Sequence, residues 1–177
     1  MAINLTSIGV KVAYAIEATA GKRPPTGWKH IPQITEIPDM DAEPEALETT
    51  SLDNLDYRTY ISGLKDLGGS LAFTANLTQA LLDLWNGDGS TTGVIGEYET
   101  AKKAGKSMWL AVVIPGLTKS VFFTVEPSPI GLMGMGVNEV IDCSIYVTPT
   151  GEPKWDTALT DEAFADAEAM SAMNFKY

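Results

Sequence analysis

The sequence predicts a mainly β protein, an antiparallel sandwich or barrel with one flanking α-helix and a long loop. Three observations carry this. Several segments alternate apolar and polar residues with a period of two. Proline, glycine and asparagine cluster between those segments. One stretch, beginning at Thr78, changes to helical spacing.

In chain order, GVKVAYAIE (9 to 17) alternates until Ala18-Thr19-Ala20-Gly21 ends it, the pattern of a strand. KRPPTGWKHIPQ (22 to 33) has three prolines and a glycine and reads as a loop. ITEI (34 to 37) reads as a short strand, and PDMDAEPE (38 to 45) as further loop. ALETTSL (46 to 52) has the threonine-rich character of a half-buried strand. LDNLDYRTYISGLKD (52 to 66) fits neither period and reads as a turn-rich connector, with Gly63 and Asp66 bending the chain.

GGSLAFTANLT (68 to 78) is a clear strand, with Leu71, Phe73 and Ala75 on one face. Leu81, Leu82 and Trp85 then follow helical spacing behind Thr78, a good N-cap residue, until Asn86-Gly87-Asp88-Gly89 stops the helix. A second, weaker helix runs from about Gly93 to Ala104. SMWLAVVIPG (107 to 116) and KSVFFTVEPSP (119 to 129) form a hairpin across Pro115-Gly116-Leu117-Thr118. VNEVIDCSIYVTP (137 to 149) is the last strong strand, with Ile141, Cys143, Ile145 and Val147 sharing a face. The acidic, alanine-rich tail from Thr160 is helix-prone. No composition break divides the chain, so one domain of 1–177 is expected, with a core over about 9–150 and a C-terminal extension over 151–177.

The 177 residues suffice for one domain burying roughly 70% of its unfolded surface. No apolar run approaches the ~20 residues of a spanning helix, and the N-terminus lacks the pattern of a secretion signal. With a single cysteine, assembly in a cytoplasm and no membrane binding are the expectations. The formal net charge of −11 disfavours a nucleic-acid grip, which needs clustered Lys and Arg. Acids concentrate between Ile31 and Tyr57, where no Lys or Arg occurs. Glu36, Asp39, Asp41, Glu43, Glu45 and Glu48 there form either a solvated loop or a surface that repels polyanions.

Catalytic chemistry finds little support. His30 sits in a Pro/Gly-rich loop without a cysteine near it, the place of a surface histidine rather than a zinc ligand. Cys143 falls on the apolar face of a strand, where a small buried hydrophobe is the ordinary role. NGDGSTTG (86 to 93) lacks the lysine of a phosphate loop. It places Asn86, Asp88, Ser90 and Glu97 as a calcium loop would, yet Thr91 stands where that loop needs glycine. GLMGMG (131 to 136) is flexible and apolar, more suited to a packing or contact loop than to a cofactor pocket. No enzyme activity, cofactor or metal is expected.

The order of these segments resembles a bacteriophage major tail tube protein of the long, non-contractile kind. The resemblance rests on GVKVAYAIE and the Pro/Gly loop, ETTSLDNLDYRTYISGLKD, GGSLAFTANLT, the helix with GEYETAKKAGK, and SMWLAVVIPG. It implies six copies forming rings by edge-to-edge strand pairing, stacked into a tube that conducts double-stranded DNA during ejection. It implies partners such as the tape measure and tail terminator proteins, and a place in the virion tail after assembly in the bacterial host. The long loop 22 to 46 would reach an adjacent subunit or ring. Tyr57, Arg58, Tyr60, Gly63, Leu64 and Asp66 become candidate interface residues, and the six acids above candidate lumen or loop surface. The tube subunit of a contractile tail or secretion injector shares this architecture. From another class, a small calcium- or carbohydrate-binding β-sandwich stays open, and a hydrolase is a remote third.

Overall fold

A computed structural model describes residues 5, 7–53 and 56–165. Ten strands are described: β1 Lys11–Ile16, β2 Lys29–Ile31, β3 Ile34–Glu36, β4 Pro44–Glu48, β5 Tyr60–Lys65, β6 Leu71–Asn76, β7 Met108–Val113, β8 Lys119–Pro127, β9 Asp142–Pro149 and β10 Lys154–Thr157. Two helices, α1 Gln79–Asn86 and α2 Gly93–Lys103, lie between β6 and β7. The main sheet is antiparallel throughout and runs β2-β1-β7-β8-β9-β6-β3, with β10 on β8; β4 and β5 pair apart from it. The expected mainly β, barrel-like architecture is therefore present, with two flanking helices.

The two terminal strands of the sheet order, β2 and β3, are consecutive in the chain. Only Pro32 and Gln33 separate them, and Gln33 takes a left-handed φ of 66°. Its carbonyl accepts the Asn76 amide at 3.0 Å, so one covalent segment pairs with both ends of the sheet and nearly closes it. The long loop expected over 22 to 46 is corrected here. Strand β3 falls where ITEI reads as a short strand, but β2 and the start of β4 also lie in this stretch, and β2 is too short and proline-bounded to leave a period-two pattern. His30 is likewise in a ladder, half-buried opposite Ala13, rather than in a surface loop.

Side chains alternate across this sheet as strand geometry requires. Val12, Tyr14, Phe73, Leu110, Phe123 and Ile145 are among those that fill the interior. Leu71, Phe73 and Ala75 share a face as their spacing predicts, and so do Cys143, Ile145 and Val147. Ile141 does not join them: it is exposed and precedes β9. The opposite faces of β1 and β7 carry alanines because bulk arrives from elsewhere. Trp28 and Phe164 cover Ala13, Ala15 and Ala111, with Phe122 edge-on to Trp28 at 5.6 Å. The Trp28 amide donates to Ala163 and the Ala165 amide to Trp28, so residues 161–165 dock on their own barrel. The remainder of the helix expected from Thr160 lies outside the described residues.

Helix α1 starts where predicted. Thr78 Oγ1 accepts the Leu81 amide at 3.2 Å, and the Gly87 amide returns to Asp83 at the other end. Leu81 and Trp85, with Val94 and Tyr98 of α2, bury against the ends of β1 and β8. The Trp85 indole donates to the Ser128 carbonyl at 2.8 Å, and Tyr14 meets its ring edge-on. Asn86 brackets Ile130, its amide donating to the Ile130 carbonyl and its carbonyl accepting the Ile130 amide. Gly93 allows the tight helix-to-helix turn: φ is +61°, and a Cβ there would lie 2.4 Å from the Gly87 nitrogen.

Glu17 is the one buried acid among the described residues. It accepts the amides of Gly21 and Ser107 at 3.0 Å each and the Trp109 indole N–H at 2.8 Å, tying the end of β1 to the start of β7. Burial pushes its carboxyl up, but the bonds from Ser107, Trp109 and Gly21, with nearby Lys106, more than offset this and hold it below its ordinary value of 4.5. A depressed folded-state value means stability present at neutral pH and lost as pH falls through it. Glu17→Gln should cost about 2 kcal/mol near pH 7, since one amide NH₂ then faces donors. Thermal melts should show that difference in full above about pH 5 and shrinking below it; an equal gap at pH 3 and pH 7 would refute the assignment.

Candidate assembly surfaces

Strands β4 and β5 form an arm that leaves the barrel after β3 and returns before β6. The stretch read as a connector is therefore a strand over Tyr60–Lys65, a correction with a clear cause. Its apolar residues are distributed to both faces, so no alternation marks it. Leu47 opposes Ile61 and Glu48 opposes Tyr60, while the Thr49 amide bonds Thr59 at 2.8 Å beyond the last pair. Gly63 does not bend the chain. A Cβ there would meet the Glu45 carbonyl oxygen at 2.9 Å, so glycine permits close pairing beside the irregularity between Pro44 and Ala46. Asp66 does turn the chain, its carboxylate accepting the Gly68 amide at 2.9 Å.

Both faces of this arm are solvent-exposed. Leu64 is 87% exposed and Leu52, toward the tip, 99%, with Tyr57, Tyr60 and Ile61 also open. A lone two-stranded hairpin is marginal in water, and exposed apolar area of this kind marks a contact surface. Arg58 lies 3.9 Å from Glu48, both exposed, a contact that adds little stability. Five of the candidate interface residues, Tyr57, Arg58, Tyr60, Leu64 and Asp66, are exposed on or beside the arm, and Gly63 is half-buried within it. Of the candidate acids, Glu36 ends β3, Asp39, Asp41 and Glu43 form the approach to the arm, and Glu45 and Glu48 are in β4; all six are exposed.

The barrel has two unlike ends. Helices α1 and α2 cover the end where β8 finishes. At the other end, where β8 begins, lies an open mouth of about 1110 Å³. Val112 and Val121 form part of its lining, with Leu5, Met40, Leu67 and Trp155 around the rim. Sequence reasoning missed the mouth because its lining comes from six separated segments. At the helix end, residues 131–141 between β8 and β9 are exposed without interruption, Val137 at 93%. GLMGMG, read as a packing or contact loop, is the first half of this tongue, and its exposure goes against the packing role.

The residues considered for chemistry are not drawn into one site. Asp88 accepts four hydrogen bonds on Oδ1, from the amides and hydroxyls of Ser90 and Thr91. The Thr91 amide, then Ser90, hold its carboxyl well below the usual range. The carboxylate thus closes its own turn. Cys143 is buried opposite Ala75, and burial followed by the charge of Asp142 pushes its thiol up, away from the reactive thiolate. Among the described residues no cluster of three or more His, Cys, Asp or Glu could hold a metal ion.

No family model and no curated protein matches the chain. A chain in the cryo-EM structure of the anti-feeding prophage (AFP) baseplate, 6-fold symmetrised, is similar in fold, with a TM-score of 0.59 at 9% identity. The similarity covers 89% of this chain and 98% of that one. At this identity the fold is what the two share.

Gly63→Val should open the arm without unfolding the barrel. Amide exchange at residues 46–48 and 60–62 should lose protection, while the melting temperature moves by no more than about 2 °C, the size of a surface change. Retained protection across those residues would show that the close approach at Gly63 is not required.

Proposed function

We propose that this chain is a structural, non-catalytic subunit of a phage-type tail, assembling with copies of itself into rings that stack as a tube. The observation that carries the reading is the shared fold, over nearly the whole of both chains, with a chain of a 6-fold symmetrised prophage baseplate. The arm supports it, since a hairpin exposed on both faces is completed by a neighbour's surface or strand edge. On this reading Tyr57, Tyr60 and Leu64 lie at subunit contacts. The acid-rich approach and arm keep double-stranded DNA from adhering as it passes, because like charge raises the cost of phosphate contact. Tape measure and terminator proteins would bound such a tube, and the virion tail would be its location.

The neighbour's place in a baseplate favours a second reading, the tube or baseplate subunit of a contractile injector. Both readings require self-assembly, so one experiment tests their shared part. The purified protein should elute as an oligomer in size exclusion with light scattering, and negative-stain images should average to six-fold rings, with stacks at high concentration. A chain that stays monomeric at every concentration and never forms rings would refute the proposal.

A further inference from the structure

Two exposed apolar clusters on this chain are candidates to fill the barrel mouth, and electrostatics separates them. The mouth's rim carries Asp39, Asp41, Asp66 and Glu152 against Lys65. The first candidate, the arm, brings Glu43, Glu45, Glu48, Asp53 and Asp56 with its apolar side chains. Placing those acids against an acidic rim in a desolvated contact is costly. The second candidate is the tongue. From Pro127 to Asn138 it has no charged residue, and Leu132, Met133, Met135 and Val137 are all exposed. The basic loop 18–28 has favourable charge but no exposed large apolar side chain.

The tongue cannot enter the mouth of its own barrel. It is fixed at one end by the Asn86–Ile130 bonds and at the other by β9, both at the helix end. A loop of residues 131–141 held at both ends reaches at most half its extended length, roughly 18 Å at ~3.3 Å per residue. Strand β8, whose nine residues lead from the mouth to the helix end, spans about 30 Å at the same rise.

We propose that the uncharged stretch 131–138 of the tongue of one copy seats in the mouth of a second copy, with Glu139 left outside the rim. A contact between unlike surfaces at opposite ends of one molecule is heterologous, and repeated it propagates as a stack. The apolar side chains of 131–138 then bury against Val112, Leu67 and Trp155, and the acidic rim surrounds a stretch with no charge to repel. Flexible methionines suit such a seat because they adapt to an irregular lining. The mouth of about 1110 Å³ is of a size that holds several side chains. This rests on the reading of the chain as a stacked ring subunit and identifies the surfaces that join one ring to the next.

Two variants that each add one cysteine, Val137→Cys on the tongue and Leu67→Cys at the mouth, test it with a short bismaleimide; native Cys143 is buried. Mixed together they should cross-link, and each alone should not. Leu132→Glu, at a position 78% exposed, should keep the wild-type circular dichroism and form rings, but reduce stacked lengths at least tenfold. Stacks of wild-type length from Leu132→Glu, or no cross-link in the mixture, would overturn the tongue-in-mouth contact and leave the subunit reading standing. Cross-linking of Leu67→Cys to itself would indicate mouth-to-mouth pairing and overturn it too. A wild-type protein that forms no oligomer at all would overturn both.

Discussion

Closure of the sheet through Pro32 and Gln33 is the constraint on which the rest of the structure depends. A β-sheet left open presents unpaired amides and carbonyls at two edges. Here one short segment supplies both outer strands, pairing with β1 before the turn and β6 after it. The cost is one left-handed non-glycine residue at Gln33, held by the bond from Asn76. Once the sheet is closed, alternate residues of the main strands face a single interior. That interior takes Val, Leu, Ile, Phe and Tyr because its positions are buried from solvent, and Cys143 behaves there as one more small hydrophobe.

Closure also creates two ends that must be treated separately. One is covered by α1 and α2, where Trp85 and Asn86 fasten the helices to the backbone that follows β8. The other remains open and gives rise to the arm. The chain thus carries a largely apolar tongue at its covered end and an acidic, apolar-lined mouth at its open end. A molecule whose unlike ends both expose apolar surface is suited to repetitive association rather than to closed two-fold pairing. Its acidity has a second consequence. A formal net charge of −11 makes copies of the chain repel one another, which opposes unspecific clustering of the exposed apolar surfaces.

The legible part of the sequence was the part where one local pattern meets one environment. The interior faces of β6, β8 and β9, the Thr78 cap and the stop at Gly87 all follow from residues adjacent in the chain. Strands β2 and β5 were not legible, for different reasons. β2 is three residues long among prolines, and its strand character comes only from the β1 edge beside it. β5 puts apolar residues on both faces because neither face meets the core. Ile141 shows the reverse error, since it continues the alternation of β9 into a segment that has already left the sheet.

The sequence by itself determined the antiparallel β class, the helical interruption after Thr78, the acidic surface and the apolar, glycine-rich character of the loop at 131–136. These depend on composition and on periods of two or 3.6 residues, which are local properties of a chain. Tertiary structure alone decided that β2 and β3 close the barrel, that Trp28 and Phe164 cover its alanine face, and that a mouth and an arm lie opposite the tongue. Each joins residues tens of positions apart, and such joins are set by which surfaces can be buried together, a quantity no local window contains.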